Sequence, residues 1–245
     1  MYEHEYEAMY SLEDVYWWFI ARRQLAVEVL TREVAGRDAA RILDVGCGTG
    51  SNLSAFSGLG HAVGIDMSTD ALGFCRQRGV ERVALSEIET LPFPDATFDV
   101  VTAMDILEHT DDDLLALGEL RRVVRPGGLL LATVPAYGFL WSEHDEALKH
   151  RRRYTAHELR NKLSVTGFQI ERTSYFITSL FLPIFAMRLH QGLFKKSTHP
   201  QTSVKLLPPW LNSTLVGLLA LERRIFRHMN LPFGVSLVAL ARPDD

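Results

Sequence analysis

Two groups of residues in this sequence have the types and spacing to do chemistry. The first is Asp44-Val45-Gly46-Cys47-Gly48-Thr49-Gly50, answered by Asp66, 22 residues after Asp44. Glycine at every second position lets the chain turn tightly and brings backbone N–H groups against a ligand. An ionised carboxylate at Asp66 can accept hydrogen bonds from two neighbouring sugar hydroxyls. The turn is not a nucleotide-phosphate loop, because Gly50 is followed by Ser51 and Asn52 with no lysine. Its G-x-G-x-G spacing also departs from the G-x-G-x-x-G of dinucleotide folds, which disfavours a nicotinamide oxidoreductase. A tight turn with no ligand would leave the acid before the first glycine without a purpose. With a carboxylate at its mouth and no pyrophosphate anchor, the turn suits a ligand that is neutral or cationic at that end.

The second group is histidine. His109 lies in Asp105-Ile-Leu-Glu108-His109, and His144 and His150 lie in Glu143-His144-Asp145 and His150-Arg151-Arg152-Arg153-Tyr154. An imidazole can take a proton near neutral pH without large tuning, so each is a candidate general base, His144 ahead of His109 and then His150. Each also reads as a hydrogen-bonded surface or capping histidine, and His150 with the arginines as an anion site or a solvated face.

These residues need elements to hold them. Arg41–Val45 is an apolar run that predicts a buried strand ending in the glycine turn. Ala62–Asp66 predicts a second strand, followed by a helix over Ser68–Arg78 with Ser68 as its N-cap. Val83–Leu85 and Phe98–Met104 predict two more strands, and Asp111–Val124 a helix behind an aspartate cluster. Arg125–Gly128 reads as a turn and Leu129–Val134 as the fifth strand. Helix Ala156–Val165, strand Phe168–Ser174 and a final strand Gly234–Ala241 complete the pattern. Strands alternating with helices imply crossovers and a parallel sheet.

The 245 residues are 47% hydrophobic and 23% charged, a globular composition that excludes disorder. A net charge of −4 argues against nucleic acid as a partner. Two cysteines, Cys47 and Cys75, cannot build a disulfide framework, and Glu3, Glu5 and Glu7 stand where a signal peptide needs bases, so a cytoplasmic location is expected. Residues 177–230 hold seven bases (Arg188, Lys195, Lys196, Lys205, Arg223, Arg224, Arg227) against Glu222. Within them Tyr175–Met187 is apolar but too short to span a bilayer. A cap helix is the plainer reading, and a helix lying weakly on a membrane surface the sharper one.

The pieces ILDVGCGTG (42–50), AVGIDMS (62–68), LPFPDATFDVV (91–101), MDILEH (104–109) and ELRRVVRPGGLLLATVP (119–135) resemble the class I S-adenosylmethionine-dependent methyltransferases. YWWFIARR (16–23) and LWSEHDEALKHRRRYT (140–155) resemble a bacterial subgroup acting on small molecules, glycans or lipids. The resemblance implies an α/β fold, a Rossmann-like doubly wound sheet of seven mostly parallel strands whose last strand is antiparallel and inserts beside the fifth. It implies a helical lid over 1–36, a core over 37–176 and 231–245, and a helical cap over 177–230 between strands six and seven. The cofactor is then S-adenosylmethionine, leaving as S-adenosylhomocysteine. Asp44, Gly46, Cys47, Gly48, Gly50 and Asn52 would lie at its methionine part, Asp66 at the ribose, and Met67, Glu87 and Ile88 at the adenine. Met104, Trp17 and Arg22 are further candidate cofactor residues, with Trp17 and Arg22 in the lid. Tyr137, Trp141, Arg153 and Tyr154 are candidate acceptor residues.

The implied reaction moves a methyl group to an O or N atom of a small or lipid-linked, apolar and anionic acceptor. A non-methylating S-adenosylmethionine-binding member of the fold, acting in small-molecule biosynthesis, is the alternative. Asp105, Glu108 and His109 also resemble the metal-binding motif of some O-methyltransferases, but Leu-Glu-His occurs in metal-free members, so a metal-free site is the expectation. Monomer and homodimer both fit.

Overall fold

The computed structural model describes residues 3–37, 39–194 and 206–244. Lys195, Lys196 and Lys205 of the basic segment lie outside them. Helices α1 (Glu3–Leu12) and α2 (Trp17–Glu33) precede an alternating body. That body runs β1 (Arg41–Val45), α3 (Ser51–Phe56), β2 (His61–Asp66), α4 (Thr69–Gln77), β3 (Val83–Leu85), β4 (Phe98–Met104), α5 (Asp113–Val123) and β5 (Val124–Pro135). There follow α6 (Glu143–Ala147), α7 (Ala156–Val165), β6 (Phe168–Phe176), α8 (Phe181–Phe194), α9 (Pro209–Phe226) and β7 (Ser236–Pro243).

The strands form one sheet in the order β3-β2-β1-β4-β5-β7-β6. β1 pairs parallel with β2 and β4, and β7 runs antiparallel between β5 and β6. Successive residues of each strand face opposite layers. Ile42, Val100 and Leu131 pack with Leu25, Leu30 and Phe56 on one side. Leu43, Val101 and Leu130 pack with Leu117, Leu120 and Leu159 on the other. This burial of both faces is what a parallel sheet needs, and it explains the near-continuous apolar runs.

One expected boundary is corrected. Phe98 pairs with Val124 and Val100 with Leu129, so β5 reaches back past the Arg125–Gly128 turn, which bulges out of a continuing strand. Asp99 holds the bulge: it accepts from the Arg41 N–H at 2.8 Å and pairs with Arg37 at 2.9 Å and with Arg125.

Helices α8 and α9 fall between β6 and β7 in the chain, and α9 packs against α2. Asn212 fixes that contact, accepting from the Trp17 N–H at 2.9 Å and donating to the Val15 carbonyl at 2.8 Å. Among the described residues, no helix is long and apolar enough to cross a membrane.

Candidate active site

Parallel register carries both carboxylates to the carboxyl edge of the sheet. Val45 pairs with Ile65, which puts Asp66 one step beyond it at the end of β2, with Asp44 one residue inside β1. The turn between β1 and α3 has positive φ at Gly46 (72°), Gly48 (54°) and Gly50 (85°), a region that side chains with a Cβ rarely enter. A Cβ on Gly46 would sit 2.8 Å from the Ile106 side chain. The N–H groups of Gly46 and Cys47 both donate to the Ile65 carbonyl at 2.9 Å, and Gly48 N–H donates to the Asp66 carboxylate at 2.9 Å. Ser68 N–H binds the other Asp66 oxygen at 2.9 Å. Asp66 is therefore oriented by the loop it serves. Burial lifts its carboxyl above the ordinary range, and these backbone bonds partly offset the rise.

Asp44 is deeper. Thr102, its register partner on β4, donates to one oxygen at 2.6 Å, while the buried second oxygen has no hydrogen-bond partner among the described residues. Burial pushes this carboxyl up to about 7; the Thr102 bond opposes the rise, and the nearby Asp66 and Glu13 charges add to it. A buried, unsatisfied carboxylate beside a glycine turn fits a ligand that brings positive charge. The α1 helix lies on the turn: a Cβ on Gly48 would meet the Met9 methyl, and Thr49 and Arg78 both bind the Glu13 carboxylate, Arg78 at 2.7 Å.

Because Asp44 titrates near neutrality and a cation favours its ionised form, binding a cationic ligand at pH 6 should drive a proton off. Apparent affinity should then tighten about tenfold between pH 6 and pH 8 and level off above. Calorimetry in buffers of different ionisation heat reads the released proton directly. A native affinity that does not vary over that range, or a dependence kept by Asp44→Asn, would show that Asp44 does not face the ligand.

The candidate acceptor residues lie beyond the ends of β4, β5 and β6. Each strand is followed by a residue with side chain and positive φ: Asp105 (56°), Tyr137 (56°) and Ile177 (62°). Such strain clusters where a fold holds a functional geometry. Asp105 pairs with Arg22, which is buried and also donates to Ser236 at 3.0 Å and to Thr133. Tyr137 stacks on Phe139 (4.9 Å) and Tyr175 (5.0 Å), with Phe181 of α8 at 5.9 Å, making an aromatic wall under the cap.

The three histidines converge. The His109 and His150 rings are 4.8 Å apart and the His144 and His150 rings 6.3 Å apart. His150 Nδ1 meets Asp145 at 2.9 Å, and Arg153 holds the same carboxylate at 2.7 and 3.0 Å. Burial drives His109 down to about 3, helped by His150 and Arg151, and drives His144 down to about 3, helped by Arg188. Both are neutral at pH 7. Arg188 reaches from the cap to the Ser142 hydroxyl, tying α8 to this cluster.

Two candidate acceptor residues are corrected by their partners. Tyr154 is fully buried and its hydroxyl donates to Asp113 at 2.8 Å and to the Leu107 carbonyl at 3.2 Å, so it is floor, not contact surface. Arg153 is committed to Asp145 and to the Ala136 carbonyl at 3.0 Å. Trp141 remains half-exposed. On the cofactor side Met67 and Glu87 are exposed and Ile88 is buried, while Asn52 bonds the Met104 sulfur at 3.7 Å. Trp17 is in the core against α9. Thr102, Glu13, Met9, Asp145 and Arg188 escape sequence reasoning, since nothing local marks which of them face the site.

Residues 43–132 match the family described as Methyltransferase domain. A Mycolicibacterium smegmatis protein named as a probable S-adenosylmethionine-dependent methyltransferase is 32% identical over 66% of this chain and 62% of its own length. Residues 43–132 carry a methyltransferase domain, and the chain is similar to S-adenosylmethionine-dependent methyltransferases. It spans about three fifths of that relative. An Aeromonas salmonicida ubiquinone biosynthesis O-methyltransferase is 37% identical over 40% of this chain and 44% of its own length. The crystal structure of an S-adenosylmethionine-dependent methyltransferase from Thermotoga maritima has the same fold, with a TM-score of 0.59 and 20% identity, covering 98% of this chain and 96% of that one.

Proposed function

We propose that this chain transfers the methyl group of S-adenosylmethionine to a hydroxyl oxygen of a small or lipid-linked apolar acceptor held beneath the cap. The observation that carries this reading is the apposition of two sets at one edge of the sheet. Asp44, Asp66 and the glycine turn form a cradle for a cationic nucleoside. Three converging histidines and the Tyr137–Tyr175–Phe181 wall come together beyond the ends of β4, β5 and β6, where an apolar acceptor would sit. When bound, S-adenosylmethionine supplies an electrophilic methyl on a sulfonium. The protein's own part is to orient and to exclude water. Asp66 binds the ribose hydroxyls and Asp44 offsets the positive charge. The aromatic wall holds an apolar ring or chain, and the neutral imidazoles face the hydroxyl without competing as cations.

The ubiquinone-pathway relative, by its name an O-methyltransferase, supports an oxygen acceptor on an apolar molecule. Leu182, Leu189, Leu206 and Trp210 are exposed on or beside the cap helices, with the exposed Arg224 on the second of them. This supports weak contact with a lipid surface as the way such an acceptor arrives. The test is transfer of labelled methyl to matched pairs of apolar phenols and aryl amines. Label in the extractable phenol product is expected; label in amines alone, or in neither while cofactor binds, would overturn the oxygen assignment.

A further inference from the structure

The expectation of a metal-free site does not account for Glu108. Its carboxylate is fully buried, and among the described residues neither oxygen has a hydrogen-bond partner on another residue, the Arg22 and Arg153 charges acting on it without a direct bond. The penalty of such a group is large unless a cation or a proton meets it. Asp105, its acidic neighbour in the chain, is engaged by Arg22. What does stand beside Glu108 is a pair of imidazoles: ligand atoms of Glu108, His109 and His150 all lie within 4.8 Å of one another.

We propose that Glu108, His109 and His150 bind one divalent transition-metal ion at the edge of the acceptor pocket.

Three features make this a built site. First, His150 Nδ1 is taken by Asp145, which leaves Nε2 as its metal-facing atom. A carboxylate behind a ligating imidazole fixes its tautomer and its aim. Asp145 is itself fully buried and held by Arg153 and by the Ser142 N–H at 2.9 Å. Second, the two ligand segments are docked on each other through the backbone. Arg151 N–H donates to the Glu108 carbonyl at 2.8 Å, and the Arg151 side chain to the His109 carbonyl at 3.0 Å. The spacing of the ligands therefore does not depend on their own side chains. Third, the donor set is selective. Two imidazoles and one carboxylate suit zinc, manganese, iron(II) or cobalt, and suit magnesium and calcium poorly. Three protein ligands also leave open positions, as ion sites that meet a substrate do.

Binding of the ion stands on this geometry alone. Its role, to hold the acceptor hydroxyl and ease its proton off to water, rests on the oxygen-acceptor reading above.

The purified chain, stripped with chelator and dialysed, should take up one cobalt(II) per chain and show visible d–d absorption from the His–carboxylate site. Glu108→Gln and His150→Ala should weaken cobalt binding by about 100-fold. Asp145→Asn, which only orients His150, should weaken it by about 10-fold or more. His61→Ala, at the amino end of β2 and so at the opposite edge of the sheet, should leave it unchanged. Far-UV circular dichroism and S-adenosylmethionine binding report folding of each variant, and His109→Asn serves where another variant fails to fold. No absorption from native protein, or uptake unchanged in folded Glu108→Gln and His150→Ala, would overturn the site. Uptake of the ion with no labelled methyl on any hydroxyl acceptor would instead leave the site standing and remove the oxygen-acceptor reading.

Discussion

Asp66→Asn should bind S-adenosylmethionine and S-adenosylhomocysteine about 100-fold more weakly than the native chain, and should weaken both alike. The carboxylate accepts Gly48 and Ser68 N–H groups, one on each oxygen, which orients it, and each oxygen can accept a further bond from a ribose hydroxyl. Each charge-assisted bond to a ribose hydroxyl is worth about 1.5–3 kcal/mol. An amide keeps one acceptor oxygen but turns the other position into a donor, so a loss near 3 kcal/mol, about two decades in affinity, is expected. Ribose is common to cofactor and product, which is why the two losses should match. Asp44→Asn should differ, costing the sulfonium compound more than its demethylated product. Equal affinity of Asp66→Asn and native protein in equilibrium dialysis would remove Asp66 from the ribose.

Asp145→Ala should lower unfolding free energy by about 3–5 kcal/mol, because it strands Arg153, whose side chain is only 6% exposed, without its carboxylate. For a chain of this size that corresponds to a fall in Tm of roughly 10 °C. Burial alone would raise the Asp145 carboxyl, but the bonds from His150 and Arg153 outweigh it and hold the group well below the ordinary range. A depressed carboxyl stabilises the fold fully above its unfolded value, near pH 4. That contribution fades only as pH falls from there through the native value. Native protein should accordingly lose stability more steeply than Asp145→Ala below pH 4. A melting temperature within about 2 °C of native at pH 7, or parallel acid profiles, would show that the pair contributes little.

The geometry of the candidate cofactor cradle is legible in the sequence because its determinants are local. The glycines, the acid two residues before them and the acid ending the next strand sit at fixed steps along a β-α-β unit. Parallel pairing converts those steps into position. The acceptor half is different. Glu108 and His150 are 42 residues apart, and their meeting depends on Arg151 docking onto the Glu108 carbonyl, a contact that no periodicity announces. Arg153 and Tyr154 look like substrate contacts for the same reason: the partners that consume them, Asp145 and Asp113, are known only once the chain is folded. The Arg125–Gly128 turn shows a milder version. Its residues do bend the chain, but pairing on both sides of the bend keeps the strand running.

The most direct measurement is calorimetric titration of the purified chain with S-adenosylmethionine at pH 7.5. One site per chain is expected, with competition by S-adenosylhomocysteine and no response to nicotinamide dinucleotides. A folded chain that takes up neither sulfonium compound nor its product would contradict the account at its base.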